Sequence, residues 1–281
     1  MIRPFIIFLC VLTSGCSSFD RHFFYPDSKT YQTPTRHGLD FENLRIPSSD
    51  GTELSAWFLP AVGEAEATIV HLHGNAQNMS SHFSFTAWLP KAGFNLLVFD
   101  YRGYGKSAGT PSRDGLVADS IAAIRYVKTR PDVDPDRVIL LGQSLGGAMA
   151  IAAAGSDRCG PLAGVVVDSA FASYPDVGAH VLSQSGSSSS LVGAGRILVS
   201  NRHGPEKRVG KISPTPLLIY HAKDDRIVPF SHGERLFAKA GEPKQFIPFE
   251  SGSHTCALAT HRERTIPQLL ATFRRWVSTA N

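Results

Sequence analysis

The chain has little cysteine: four in 281 residues, too few for the disulfide frameworks that staple small secreted domains. Charge of one sign is also scarce, with 28 Lys and Arg against 24 Asp and Glu and a formal net charge of +4. The basic residues are scattered, which excludes the electrostatic footprint of a nucleic-acid-binding protein. No G-x-x-x-x-G-K-[ST] segment occurs, so a phosphate-cradling loop is absent from the sequence. Histidines and cysteines do not fall at zinc-site spacing; His71 and His73 lie on one face of a strand, with no further ligands following. No metal or cofactor is therefore expected, and His71 reads as a core histidine. The apolar run at residues 5–12 is too short to cross a bilayer. What remains is ordinary globular composition, 42% hydrophobic and 19% charged, in a chain long enough for one large α/β domain.

The N-terminus differs from the rest. Arg3 precedes the apolar run, which closes in Thr13-Ser14-Gly15-Cys16-Ser17-Ser18, the outline of an export signal. This ending resembles the lipobox of bacterial lipoproteins, in which the cysteine after cleavage carries the lipid; Thr13 departs from the usual leucine. The resemblance implies a signal peptide over residues 1–16, lipidation at Cys16 and a palmitate-type membrane anchor. Serine after Cys16 implies sorting to the outer membrane, facing the periplasm, with the inner membrane or soluble periplasm as alternatives. Removal of Arg3 with the signal lowers the net charge only to +3. Residues 17–40 then read as a tether that docks its aromatic side chains on the body.

From residue 41 the pattern is regular. Two strands, 41–47 and 52–60, flank Ser48-Ser49-Asp50-Gly51, and Asp-Gly is a strong hairpin signal. Continuous apolar runs at 68–72, 95–100, 137–141, 164–168, 216–220 and 245–249 lack polar alternation, as strands of a parallel sheet buried on both faces do. Helices are expected at 80–92, 113–130, 145–155, 230–240 and 261–279. The whole reads as an α/β domain over 41–281: a doubly wound, mostly parallel sheet preceded by an antiparallel hairpin. Residues 170–214 break the rhythm. They are irregular and serine-rich, and are expected to form a lid or short helical cap over the C-terminal edge of the sheet. Cys159 precedes one parallel strand and Cys256 comes after another, which places them at opposite sheet edges, too far apart to pair.

Chemistry concentrates at Gly142-Gln143-Ser144-Leu145-Gly146-Gly147. A β-branched strand runs into G-x-S-x-G and a small-residue helix comes next, the context of a nucleophile elbow. Ser144 needs a base to take its proton and an acid to orient that base. The chain order expected on such a fold is serine, acid, histidine. His254 lies in the loop after the last strand and comes after the candidate acids Asp224 and Asp225, with Asp168 as a further alternative. One oxyanion donor is expected at the backbone N–H of Leu145.

Three further segments narrow the reading. His73-Gly74-Asn75-Ala76, Asp100-Tyr101-Arg102-Gly103-Tyr104-Gly105 and the elbow together resemble the serine hydrolases of the α/β-hydrolase superfamily, in the branch that includes prolyl-aminopeptidase-like proteins. The resemblance implies that the acid lies four residues after the histidine of an H-G-x-x-D-x-x-V-P segment. Here that segment begins at His221, with Ala222 in place of glycine, and the acid is Asp225. It also implies Asn75 as the second backbone oxyanion donor. His73 reads as a brace for that loop, with a part in the chemistry as the alternative, and Tyr101 and Arg102 read as structural, with substrate contact as the alternative. The implied activity is hydrolysis of carboxylic esters or thioesters through an acyl-enzyme. A serine aminopeptidase is the enzymatic alternative, and a catalytically silent surface-anchored binding protein the non-enzymatic one.

Overall fold

The computed structural model describes residues 23–279; Cys16 and the signal segment lie outside them. A sheet of eight strands forms the centre. Its strands are β2 (Glu42–Pro47), β3 (Glu53–Leu59), β4 (Ala67–Leu72), β6 (Phe94–Phe99), β7 (Val138–Gln143), β8 (Gly164–Asp168), β9 (Leu217–Ala222) and β10 (Lys244–Phe249). The spatial order is β10-β9-β8-β7-β4-β6-β3-β2; β2 and β3 are antiparallel and the other six run parallel. This is the doubly wound sheet with an N-terminal hairpin. A second, two-stranded sheet pairs β1 (Tyr25–Pro26) with β5 (Ala76–Gln77).

The continuous apolar runs have their physical cause in the layers on either side. Successive side chains point to opposite faces: Val70, Leu72, Leu97 and Phe99 enter one core, while Ile69, Leu96 and Val98 enter the other. Helices α2 (Arg113–Lys128), α3 (Leu145–Ala154) and α6 (Ser231–Lys239) pack into the first core. Helix α7 (Arg262–Ser278) closes the second with Leu269, Phe273 and Trp276. Cys159 belongs to the first core and Cys256 to the second, and both thiols are free and buried.

One stretch departs from the sequence expectation. The helix expected at 80–92 is broken: α1 (Met79–His82) gives way to a 3-10 turn at Phe83–Phe85, and another turn covers Pro90–Ala92. The Thr86 hydroxyl donates to the Phe83 carbonyl and meets His71 Nδ1, while Trp88 Nε1 donates to the Phe85 carbonyl. The backbone bonds here tighten to three-residue spacing, Thr86 N–H to the Phe83 carbonyl and Leu89 N–H to that of Thr86, and Pro90 has no N–H to extend an α-helical ladder. Residues 170–214, irregular in pattern but expected as a lid or short helical cap, are helical in part. They hold α4 (Tyr174–Gln184) and α5 (Ser189–Leu198), and serines that look like loop composition serve as caps. Ser173 caps α4 through the Asp176 amide, and Ser188 caps α5 through the Leu191 amide.

Candidate active site

Ser144, Leu145, Asn75, Asp225 and His254 each lie just beyond the C-terminal end of a parallel strand, and Asp168 is the last residue of one. The register aligns Leu72 with Gly142, Gln143 with Asp168 and Ala222 with Phe249, so these strand ends share one edge. Ser144 comes directly after β7, Asn75 three residues after β4, Asp225 three after β9 and His254 five after β10. That convergence is the rule for ligand sites on open α/β sheets.

Ser144 has φ 54° and ψ −115°, outside the regions comfortable for a residue with a side chain. Its N–H donates to the Asp168 carbonyl at 2.9 Å and its carbonyl accepts from Ala148, so both backbone groups lock the turn. A Cβ at Gly146 would run into the Leu72 carbonyl, and one at Gly142 into the Gly146 carbonyl, which is why the elbow requires glycine on both sides. Leu145 opens helix α3, and its N–H is among the first-turn amides that have no acceptor within the helix. The positive end of the helix lies at the serine.

His254 Nδ1 lies 2.8 Å from Asp225 Oδ2, with the His254 side chain 16% exposed and that of Asp225 fully covered. The other Asp225 oxygen accepts from the Ile227 and Val228 amides at 2.9 Å each. Burial pushes the Asp225 carboxyl up, but the His254 ring and the two amides more than offset it and hold it below the ordinary carboxylate range. An ionised Asp225 keeps the proton of a neutral His254 on Nδ1, which leaves Nε2 as the free acceptor. Asp224, the neighbouring candidate, bonds elsewhere: its carboxylate accepts from the Gly252 and Ser253 amides at 3.2 and 3.0 Å and steadies the loop that carries His254. Asp168 is buried beneath the site, its carboxyl pushed up to about 7 by burial and opposed by the nearby His254. Its side chain bonds the Ser169 hydroxyl at 3.2 Å rather than the imidazole.

The loop after β4 is braced from below. His73 Nδ1 bonds the Gly74 carbonyl at 2.7 Å, and the Tyr101 hydroxyl donates to the His73 carbonyl at 3.2 Å. Burial holds His73 well below its ordinary pKa and His71 down to about 3, so both are neutral framework. The Asn75 side chain is committed: its amide donates to the Phe23 carbonyl, and its oxygen accepts from the Tyr104 hydroxyl at 2.9 Å and the Tyr25 N–H at 3.3 Å. Arg102 is tied to Asp119 and Asp50 and not to the cleft. Cys256, close in sequence to His254, has its thiol pushed up to about 12 by burial, which disqualifies it as a nucleophile.

One feature escapes a reading of motifs. Ser169, at φ 57°, accepts from the Thr255 amide at 2.9 Å and so ties the end of β8 to the histidine loop. Its only signal in the sequence is a serine directly after a strand end. The tether residue Phe23 packs edge-on against Phe171 and Tyr174, an aromatic docking of the kind expected for residues 17–40.

Known proteins share this arrangement of elements. A family model described as serine aminopeptidase, S33, matches residues 63–185. The uncharacterized protein YfhR of Salmonella typhi is 39% identical over 270 residues, covering 91% of this chain and 87% of that protein. The alpha/beta hydrolase domain-containing protein WAV2 of Arabidopsis thaliana is 30% identical over 240 residues, 81% of this chain and 77% of that one. The chain belongs to the α/β-hydrolase superfamily. Among solved structures, the Pyrococcus furiosus esterase Pf2001 superposes with a TM-score of 0.77 at 20% identity, covering 91% of this chain and 98% of the esterase. That likeness speaks to the fold. Its family membership makes this chain a hydrolase of the α/β fold.

Proposed function

We propose that this hydrolase is a serine esterase or thioesterase acting through Ser144, His254 and Asp225. The observation that carries the reading is the 2.8 Å contact between His254 Nδ1 and Asp225 Oδ2 at the edge where Ser144 stands on its strained turn. Ser144 Oγ attacks the acyl carbonyl as His254 Nε2 takes its proton, and the oxyanion is met by the Leu145 and Asn75 backbone N–H groups. His254 then protonates the leaving alcohol or thiol, and water releases the acyl group by the same route. Asp225 holds the ring and stabilises the imidazolium.

The description of the matched family favours a second reading, an aminopeptidase. Such an enzyme needs free carboxylates to hold a substrate α-amino group. The acidic residues of the 170–214 region are already engaged: Asp176 with Arg196 and Arg235, and Glu206 with Arg235 and Lys239. Ester or thioester cleavage is therefore the better supported. Export and lipidation at Cys16 complete the proposal, on the lipobox-like segment alone. A fluorophosphonate probe should label the wild type but not Ser144→Ala, and an unlabelled native wild type would overturn the serine-hydrolase reading. A panel of p-nitrophenyl esters run beside aminoacyl-naphthylamides separates esterase from peptidase. Globomycin should make a lipid-bearing precursor accumulate, and Cys16→Ala found fully membrane-anchored would refute the lipobox.

A further inference from the structure

We infer that the catalytic edge itself docks on a phospholipid bilayer, with α4 and α5 as the contact surface, and that the acyl ester it cleaves is drawn from that bilayer; both points rest on the hydrolase and lipid-anchor readings above. Among the described residues, the large exposed hydrophobic side chains are Tyr25, Val62, Val181, Ile197, Leu198 and Ile227. Val62 sits at the opposite edge of the sheet, its amide bonded to Pro90 ahead of β6. The other five surround the site. Tyr25 pairs with Ala76, next to Asn75. Val181 lies on α4 and Ile197 and Leu198 on α5, while Ile227 is two residues from Asp225. His180 of α4 bonds the Arg226 carbonyl at 2.8 Å, which joins the helical pair to the acid loop.

Helix α5 has no fully buried side chain although it carries Leu191, Val192, Ile197 and Leu198, and Ile197 is 85% exposed. Exposure of that extent on a helix beside a catalytic site marks a surface that meets something apolar. Chain length identifies the occupant. Only residues 17–22 separate Cys16 from Phe23, and seven Cα steps reach at most about 25 Å. Phe23 is packed on Phe171 and Tyr174, the latter opening α4. A lipid on Cys16 would therefore hold this edge, and not the opposite one, next to the membrane that anchors it. Apolar side chains beside the exposed Arg226 suit the interfacial region of an anionic bilayer. A substrate that enters from the lipid side is an acyl ester with its chain in the bilayer. Its acyl carbon bonds to Ser144 Oγ, its alcohol leaves with the proton from His254, and water supplies the oxygen and proton that free the acid.

The test uses the full lipidated chain reconstituted in phosphatidylethanolamine–phosphatidylglycerol vesicles containing brominated lipid. An environment-sensitive fluorophore is attached at Ile197→Cys or, as control, at Val62→Cys; the buried Cys159 and Cys256 stay out of reach of the label. Strong quenching at 197 and little at 62 is expected, and equal or absent quenching at 197 overturns the docking. In parallel, Val181→Asp/Ile197→Asp should lower hydrolysis of a vesicle-embedded long-chain fluorogenic ester at least tenfold while cleavage of soluble p-nitrophenyl butyrate stays within twofold. An unchanged ratio of the two rates overturns the lipid-borne substrate. Quenching at 197 in a wild type that cleaves neither ester would instead count against the serine-hydrolase reading.

Discussion

Asp225→Asn isolates the acid without dismantling its surroundings. The substituted side chain keeps an oxygen where Asp225 accepts from the Ile227 and Val228 amides, both at 2.9 Å, so the turn that carries it has no reason to open. The other terminus becomes an NH2 group facing His254 Nδ1, which Asp225 now contacts at 2.8 Å. Two donors cannot share one hydrogen bond, so the imidazole is driven to the tautomer with its proton on Nε2, the atom that must accept from Ser144. Loss of the correct tautomer in a triad costs about 10⁴ in kcat, equivalent to about 5.4 kcal/mol of barrier. Asp224→Asn touches only an exposed carboxylate that steadies Gly252 and Ser253, and should cost a small fraction of that. The assay is p-nitrophenyl butyrate turnover at saturating substrate, with thermal melting to show that both variants fold alike. Equal losses for the two aspartates would refute the assignment, as would an Asp225→Asn enzyme within tenfold of wild type.

Three other outcomes are expected from the packing. Gly146→Ala drives a methyl group into the Leu72 carbonyl and should yield poorly folded protein or a loss of about 1–3 kcal/mol by denaturant titration; a normal melting curve would contradict the elbow geometry. Arg102→Met strips the fully buried Asp119 of its partner and should cost about 3–5 kcal/mol, lowering the melting temperature by about 10 °C. The carboxyls of Asp100 and Asp168, each pushed up to about 7 by burial, bind protons in the folded state that the unfolded chain has already lost above pH 4. Their contribution to stability should therefore decline as pH rises from about 4 to about 7 and then level off, by at most about 4 kcal/mol each; Asp168→Asn should flatten this slope in melting temperature, and a slope unchanged by the substitution would show that Asp168 titrates normally.

The parallel strands were legible because burial on both faces leaves an unbroken apolar run, and each observed strand begins and ends within two residues of its run. The convergence of Ser144, Asn75, Asp225 and His254 was legible for a related reason. Each comes just after such a run, and strand ends of a parallel sheet share an edge. The single helix expected at 80–92 fails for local reasons, since backbone bonds there tighten to three-residue spacing and Pro90 cannot donate to an α-helical ladder. The serine run at 183–190 spans the turn between α4 and α5, and Ser188 caps the helix that comes next. The pairing of Tyr25–Pro26 with Ala76–Gln77 is two residues long, too short to leave any periodicity. Ser169 and Asp224 hold the histidine loop through contacts 86 and 28 to 29 residues apart in sequence, which no local pattern records.

The distribution of backbone strain says what the catalytic edge is shaped for. Among the described residues, seven that are not glycine have positive φ: Gln77, Ser144, Asp157, Ser169, His203, Ser253 and Thr255. All but Asp157 and His203 lie in loops that leave the C-terminal ends of β4, β7, β8 and β10. Each costs on the order of 1 kcal/mol relative to a relaxed turn, and a stability-driven sequence would place glycine there. Glycine at 144 or 169 would relieve the backbone and delete the hydroxyl. At Ser169 that hydroxyl accepts the Thr255 amide, so the two strained residues hold one another and fix the loop between them. The strain is sustained by the sheet beneath, whose strands are buried on both faces and cannot shift to relax one loop without disturbing its neighbours. A rigid sheet that forces serines into such conformations at one edge presents hydroxyl and imidazole at set positions, which is what the proposed attack on a carbonyl would require of it.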